Sequence, residues 1–211
     1  MKDHYLYPQT TTLVNLFGEQ NEQHLDEIEA AYTGLRLRQL IENPIDGSFD
    51  FEHLCRVHRF IFQDIFDWAG IPRTINIEKP EAALGGISVE YTDVKDIKTA
   101  GEKACTNMNA IRWQTLSIER KAEMFSKCMT DIWKTHPFRE GNTRTVITFC
   151  CDFAEKNGFP LNRELFKDNS QYVRRALVAA SAVFHDLGDL SQPQHLFHIT
   201  LDAVNRSVLR T

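Results

Sequence analysis

The sequence lacks any apolar run that could cross a membrane. Apolar stretches such as Val146–Phe149 and Ala176–Val183 fall far short of the roughly 20 residues that a spanning helix needs. The first residues also lack the charged start and apolar core of a secretory signal. We therefore expect a protein that has no membrane partner and acts in the cytoplasm, unless a specialised secretion system recognises another signal.

Paired cysteines and an excess of basic residues are missing as well. The five cysteines are odd in number and contain no C-x-x-C pair, so neither a disulfide framework nor a zinc site is predicted. The 24 basic residues are dispersed and outnumbered by 29 acidic ones, which gives a net charge of −5. No nucleic-acid partner is expected, because such partners are bound by clustered positive charge.

The 211 residues include few glycines and prolines and are 42% hydrophobic, which is typical of one globular domain. Apolar residues return every three or four positions along most of the chain, so a mainly α fold is predicted. The expected buried stripes are Leu25, Ile28, Tyr32, Leu35 and Ile41; Phe51, Leu54, Val57, Ile61, Phe62 and Ile65; Val94, Ile97, Ala104, Met108 and Ile111; and Ile118, Ala122, Phe125, Cys128 and Ile132. Further helices are predicted from Gly141 to Asn157, from Arg163 to Phe184 and from Gln194 to Leu209.

One segment breaks the helical period. Residues 73–77 and 86–90 alternate in polarity, are rich in β-branched side chains and flank a connection that contains proline and glycine. This pattern predicts a β-hairpin. Two strands alone are marginally stable in water, so the hairpin is expected to lean on the helices or to offer its edge to a partner.

The stretch from His136 to Arg144 carries the chemistry. Pro137 disfavours helical geometry at His136, so a helix should end there, and the next helix should open at Gly141 and Asn142. The first N–H groups of a helix have no partner within it and lie at the positive end of its dipole. A helix start after a glycine turn is therefore a site for phosphate oxygens.

The side chains around this helix start supply the groups that a nucleotidyl transfer needs. Glu140 offers a carboxylate of the kind that Mg²⁺ prefers, and Arg144 offers a charged fork for the departing phosphates. His136 can accept a proton from an attacking hydroxyl near neutral pH. Singly, each has an ordinary alternative, such as packing for the histidine, a dipole contact for the glutamate and a solvated surface position for the arginine. Their joint occurrence within nine residues favours the functional interpretation.

These residues resemble the signature of the Fic (filamentation induced by cAMP) domain family: a His, a Phe, an acidic residue, Gly-Asn and then Arg. A second resemblance covers His58 to Gly70, followed by Arg73-Thr74, and is similar to the family's approach to its β-hairpin flap. The resemblance implies a single, helical Fic domain over residues 1–211 with a small flap. Its core would span about residues 50–185, with an N-terminal helical extension at 1–49 and a C-terminal helix at 194–209.

The resemblance also implies transfer of AMP from ATP to a Ser, Thr or Tyr hydroxyl of a target protein, with Mg²⁺ as cofactor. His136 would be the general base, Glu140 the Mg²⁺ ligand and Phe138 the core anchor. Gly141, Asn142 and Thr143 would bind phosphate, and Arg144 would hold the outer phosphates. Tyr172 lies where the family places adenine contacts, although packing explains it equally well. The flap, Arg73 to Glu90, would align the target segment.

Two positions depart from the fullest form of the signature, with Thr143 in place of a second Gly and Ile147 in place of a second Arg. Many members silence themselves with a Ser/Thr-x-x-x-Glu motif, followed by Gly or Asn, whose Glu pairs with that second Arg. No such motif is complete here; the nearest spacings are Ser48/Glu52, Thr74/Glu78, Thr115/Glu119 and Ser181/His185. We therefore expect restraint, if any, from a separate small antitoxin-like partner. The family also favours homodimers that modify themselves.

Two other classes of function remain open. A Fic variant could carry out another phosphate chemistry, such as phosphocholine transfer, phosphorylation or removal of AMP, although Glu140 followed by Gly141 favours AMP transfer. A catalytically inactive module could use the flap to bind a partner, although the intact His136 and Glu140 argue against it.

Overall fold

The computed structural model describes residues 3–208, and over this range the chain is mainly helical, as predicted. The helices are α1 (Glu22–Glu42), α2 (Phe51–Phe62), α3 (Ile97–Asn109), α4 (Ile118–Thr135), α5 (Asn142–Lys156), α6 (Arg163–Asp168), α7 (Ser170–Ala180) and α8 (Gln194–Val208). Short 3-10 turns span Ala82–Leu84 and Trp113–Thr115, and strands β1 (Val183–Phe184) and β2 (Gly188–Asp189) form one antiparallel pair. Leu209, the predicted end of the last helix, lies outside the described residues. Between residues 3 and 208 no helix combines the length and the apolar character that crossing a bilayer would require.

Helix α4 lies at the centre of the fold and packs against α3, α5, α7 and α8. The hydroxyl of Ser117 caps its start by accepting the N–H of Arg120. Its apolar face is buried through Phe125, Met129 and Trp133. The helix ends at Thr135, as predicted, because His136 adopts a left-handed conformation.

Helix α5 packs against α2 and α4, which places its start next to both. It begins after Gly141, whose φ of 81° is readily adopted only by glycine. It ends at Lys156, ahead of the predicted stop at Asn157-Gly158. The predicted fifth helix is therefore confirmed.

The long helix predicted from Arg163 to Phe184 is wrong. Asn169 has a non-helical φ of −112° and separates α6 from α7. After α7 ends at Ala180, Val183 pairs with Asp189 and Phe184 with Gly188 in a short sheet. The β-branched Val183 and the left-handed Gly188 favour this turn over a further helical turn.

The hairpin predicted in the flap forms only in outline. The flap turns back on itself, but a single antiparallel bridge, Pro80 with Ser88, replaces the two strands. Pro80 has no N–H to donate, and the N–H of Lys79 is taken by the Ser88 hydroxyl at 3.0 Å instead of by a strand carbonyl. The left-handed Gly85 and Gly86 close the turn. The small sheet of this fold lies instead at β1 and β2.

The N-terminal extension is helical only from Glu22, since the described residues before it form turns and one bridge, Leu6 with Leu13. The predicted buried stripe of α1 is also partly wrong. Leu25 is buried, but the other fully covered residues are Thr33 and Leu40. The stripe residues Tyr32, Leu35 and Ile41 are exposed. Helix α1 is rotated so that Glu29 and Thr33 reach the start of α5.

Candidate active site

Residues 136–141, here called the signature loop, join α4 to α5. His136 has φ 43° and ψ 57°, so a β-carbon-bearing residue sits in left-handed geometry. The buried Arg73 holds this backbone, because its Nε donates to the His136 carbonyl at 2.9 Å and its own N–H donates to the Pro137 carbonyl at 2.7 Å. The rest of its guanidinium donates to the carbonyls of Ile75 and Thr92. Arg73 thus fixes the loop to the start of the flap.

The end of the signature loop is fixed by Asn142. Its Oδ1 accepts the N–H of Phe138 at 2.9 Å, and its Nδ2 donates to the Phe138 carbonyl at 2.7 Å. Phe138 itself is fully buried, as predicted for a core anchor. A β-carbon on Gly141 would lie 2.2 Å from the ring of Phe62, so only glycine fits there. The side chain of Asn142 therefore shapes the loop, and its backbone N–H remains available for a ligand.

His58 supports the loop from α2. Its ring stacks on Phe138 with centroids 3.7 Å apart. Its Nδ1 accepts the N–H of Gly70 at 2.8 Å, so its Nε2 carries the proton and donates to the Glu140 carbonyl at 3.0 Å. Burial lowers the pKa of His58 to about 3. His58 is a neutral structural residue. It begins the segment from His58 to Gly70 that resembles the family's approach to its flap.

The start of α5 offers free donors. Among the hydrogen bonds of residues 3–208, none uses the backbone N–H of Asn142, Thr143 or Arg144; the first helical bond is from Thr145 to Gly141. The Thr143 hydroxyl accepts the indole N–H of Trp133 at 2.9 Å, which turns this side chain toward α4. The threonine that replaces the family's second glycine thus leaves the helix start open for an anion.

Glu140 lies beside these donors. Its Oε1 accepts the N–H of Gly141 at 3.0 Å, and its Oε2 accepts from Nζ of Lys79, on the flap, at 2.7 Å. Burial raises its pKa, but the Lys79 ammonium and the Gly141 N–H outweigh this effect and lower the pKa to about 2. The carboxylate is therefore ionised at any physiological pH.

Arg144 is held by α1. Its guanidinium pairs with Glu29, donates to the Thr33 hydroxyl at 3.2 Å and lies 4.9 Å from the centroid of the Phe62 ring. Burial raises the pKa of Glu29, and the Arg144 charge offsets this only in part. The predicted phosphate-binding arginine is thus already engaged by a carboxylate of the same chain.

His136 is enclosed at the other end of the site. Only 3% of the residue is exposed, and its ring stacks on that of Tyr91 with centroids 3.9 Å apart. Neither ring nitrogen has a hydrogen-bond partner within the described residues. Burial, and next the charge of Lys79, lower its pKa well below 6.5. His136 is therefore neutral and able to accept a proton, but the groups packed around it must shift before a hydroxyl can reach it.

Tyr172, the predicted adenine contact, is exposed on α7, where its hydroxyl lies 3.4 Å from Nδ1 of His195 on α8. Its role stays a prediction. Arg174, two residues later, contacts the flap through two hydrogen bonds to Glu81 of 2.7 and 2.8 Å. This pair fastens the flap turn to α7.

The sequence patterns did not single out Lys79, Glu29 or Arg174 as site residues. Lys79 and Glu29 are 61 and 115 residues away from the groups they pair with, so no local spacing reveals them. Arg73 could be singled out from the sequence, because Arg73-Thr74 follows the segment from His58 to Gly70 that resembles the family. Its role as a clamp on the signature loop required the structure.

The residues present fit a magnesium ion that arrives with a nucleotide. Residues 3–208 contain no group of three or more His, Cys, Asp and Glu side chains that would form an all-protein cage. Mg²⁺ commonly takes one or two carboxylates and completes its shell with water and substrate phosphate. Glu140 supplies one ionised carboxylate next to the open start of α5, which matches this chemistry.

Comparison with known proteins agrees with this geometry. The model of the Fic/DOC family matches residues 48–154. "Probable protein adenylyltransferase y4lH" of Sinorhizobium fredii is 32% identical over 162 residues, which cover 77% of this chain and 80% of that protein. "Protein adenylyltransferase VbhT" of Bartonella schoenbuchensis is 26% identical over 206 residues, which cover 98% of this chain. The chain spans only 41% of the length of VbhT.

The fold is also found in a solved structure. The crystal structure of BepC, a VirB-translocated effector protein of Bartonella tribocorum with bound AMPPNP, has a TM-score of 0.77. The match covers 94% of this chain and 95% of the BepC chain, and 21% of the matched residues are identical. This likeness shows that the helical architecture is shared.

Proposed function

This chain belongs to the Fic/DOC family, and on that premise we propose that it is a protein adenylyltransferase, which moves AMP from ATP to a Ser, Thr or Tyr hydroxyl of a target protein. The observation that carries the proposal is the signature loop. It places a neutral, unpartnered imidazole, an ionised carboxylate and the open start of α5 within nine residues of chain. The names of VbhT and y4lH, and the AMPPNP bound by BepC, support the same activity.

The chemistry follows from these groups. His136 takes the proton of the target hydroxyl at a ring nitrogen, and the hydroxyl oxygen bonds to the α-phosphorus as the bond to pyrophosphate breaks. The N–H groups of Asn142, Thr143 and Arg144 stabilise charge on the phosphate oxygens, and the Arg144 guanidinium holds the outer phosphates. Bound at Glu140, Mg²⁺ would neutralise charge on the phosphates.

The flap is the proposed docking edge for the target. Apart from its single bridge, Pro80 with Ser88, the flap has no strand pairing among the described residues, so its backbone can pair with an added strand. Ile87 is exposed there and offers an apolar contact. A target segment that pairs along residues 73–90 would lie next to Tyr91, whose ring stacks on that of His136.

Restraint by a separate, small antitoxin-like protein is part of the proposal. Ile147 stands where the family's second arginine would meet an inhibitory glutamate, and it lines an apolar cavity of about 290 Å³ with Leu37 and Ile41. The exposed apolar residues Tyr32 and Leu35 on α1 are available for such a partner or for a second copy in a self-modifying homodimer. We place this activity in a cytoplasm, either of the producing cell or of a cell that receives the protein.

Transfer of label from ATP tests the proposal. The chain is incubated with Mg²⁺, a lysate that contains target proteins, and ATP labelled at either the α- or the γ-phosphate. Label from the α-phosphate on protein is expected, with no label from the γ-phosphate. The matched control is His136→Ala, which should transfer the α-label about 10²- to 10⁴-fold more slowly and the γ-label not at all. Transfer from the γ-phosphate would point to a phosphorylating Fic variant, and absence of both labels would favour an inactive binding module.

A further inference from the structure

Lys79 connects the flap to the signature loop. Its ammonium lies 2.7 Å from Oε2 of Glu140, and its backbone N–H is fixed by the Ser88 hydroxyl at 3.0 Å. Both side chains are partly covered, with about a quarter to a third of each exposed. The contact is thus a specific pair across 61 residues, unlike the more exposed pair of Lys98 with Glu102 at 3.9 Å on α3.

The pair occupies the oxygen that a metal ion would need. Oε1 of Glu140 accepts the N–H of Gly141, so Oε2 is the carboxylate oxygen without a backbone partner. That oxygen is taken by Lys79. A divalent cation and an ammonium group cannot both lie at hydrogen-bonding or coordination distance from it without strong repulsion.

We propose that Lys79 occupies the metal position on Glu140 in the nucleotide-free chain, and that binding of the metal–nucleotide complex displaces it and releases the flap from the signature loop. The proposal rests on the proposed function, since it assumes that Glu140 meets the metal of a bound nucleotide. It makes Lys79 a positioning residue for the flap, and it links nucleotide binding to exposure of the target edge.

The flap would stay attached when Lys79 leaves. Glu81 is buried and bound to Arg174 by two hydrogen bonds, neither of which involves Glu140. The flap turn is therefore anchored on α7, while the Lys79 hydrogen bonds to residues within 3–208 are those to Glu140 and Ser88. Lys79 also lies close enough to lower the pKa of His136, so its departure changes the surroundings of the base as well.

A different role for Lys79 makes the opposite prediction. If the ammonium moved onto the nucleotide phosphates, removing it would weaken binding of the nucleotide. If it competes with the metal for Glu140, removing it strengthens binding. The sign of the change in affinity separates the two roles.

Calorimetric titration with Mg²⁺ and AMPPNP measures that sign without requiring transfer. We expect Lys79→Met, which keeps the aliphatic stem and removes the charge, to bind Mg·AMPPNP about two- to fivefold more tightly, as loss of a partly exposed ion pair implies. Lys79→Arg keeps the charge and should bind like the natural chain. Lys98→Met is the matched control and should leave the affinity unchanged. Unchanged or weaker binding by Lys79→Met would overturn the proposal.

Hydrogen exchange of the flap supplies a second readout. The N–H groups of Gly86 and Ile87 are bonded within the flap turn, so their exchange reports its opening. Mg·AMPPNP should speed exchange over residues 79–88 in the natural chain, and Lys79→Met should show the faster exchange already without nucleotide. Equal protection in the natural chain and in Lys79→Met, each with and without Mg·AMPPNP, would contradict release of the flap. Tighter binding by Lys79→Met without any transfer of AMP would count against the proposed activity alone.

Discussion

Gly141 is the residue whose replacement most sharply tests the geometry of the signature loop. In Gly141→Ala the alanine must adopt the backbone φ of 81°, which costs an L residue about 1–2 kcal/mol. It must also lie 2.2 Å from the ring of Phe62, which is fully buried and cannot swing into solvent. Forcing a methyl group into a packed core costs about 1–3 kcal/mol. We therefore expect a loss of about 2–5 kcal/mol in the free energy of unfolding.

Urea denaturation of four variants, Gly141→Ala, Gly158→Ala, Phe62→Leu and the double variant, separates the two costs. Gly158 has a φ of 75° and open space where a β-carbon would lie, so Gly158→Ala should show only the backbone cost of about 1–2 kcal/mol. The double variant Gly141→Ala with Phe62→Leu should lose less stability than the sum of its single changes, since the smaller side chain relieves the clash.

Binding of Mg·AMPPNP by Gly141→Ala should also weaken, because the displaced backbone carries the N–H groups at the start of α5. If Gly141→Ala costs no more than Gly158→Ala and binds nucleotide normally, the described contact between Gly141 and Phe62 is wrong.

Four further predictions concern charged and titrating groups. His136→Ala should lower the rate of AMP transfer by about 10²- to 10⁴-fold while the dissociation constant of Mg·AMPPNP, measured by calorimetry, changes little; a large change in binding would contradict its role as a base. The pH profile of kcat/KM should fall on acidification only well below pH 6.5, because burial lowers the pKa of His136, and a midpoint at or above 6.5 would refute this. Glu29→Gln should tighten Mg·AMPPNP binding about two- to fivefold by releasing Arg144 from a competing carboxylate, and weaker binding would show that Glu29 is needed to hold the guanidinium in place. The pKa of His58 is about 3 in the folded chain and about 6.5 in the unfolded chain, so its contribution to stability should be lost as the pH falls from 6.5 toward 3. The slope of the unfolding free energy against pH in this range should therefore be smaller in His58→Gln. An identical slope would contradict the neutral, buried state of His58.

The local geometry of the signature loop was predictable from short-range rules. Pro137 and the Gly141-Asn142 pair marked the end of α4 and the start of α5 correctly, because both effects depend only on neighbouring backbone atoms. The resemblance to the Fic signature added the roles of the side chains, and the family assignment is confirmed.

Long-range pairing was not predictable in the same way. A period of three to four residues predicts a helix but not which face is covered, so the stripe of α1 was misplaced when Thr33, a polar residue, proved to be buried against Arg144. The alternation of residues 73–77 favoured a strand, but the carbonyl of Ile75 is taken by the side chain of Arg73. Tertiary contacts thus override local propensity at these positions.

The structure of the chain with Mg·AMPPNP bound would test the central claim most directly. We predict that the α-phosphate lies on the N–H groups at the start of α5, with the imidazole of His136 uncovered and facing the α-phosphorus. A nucleotide bound elsewhere, with His136 still stacked beneath Tyr91, would contradict the account.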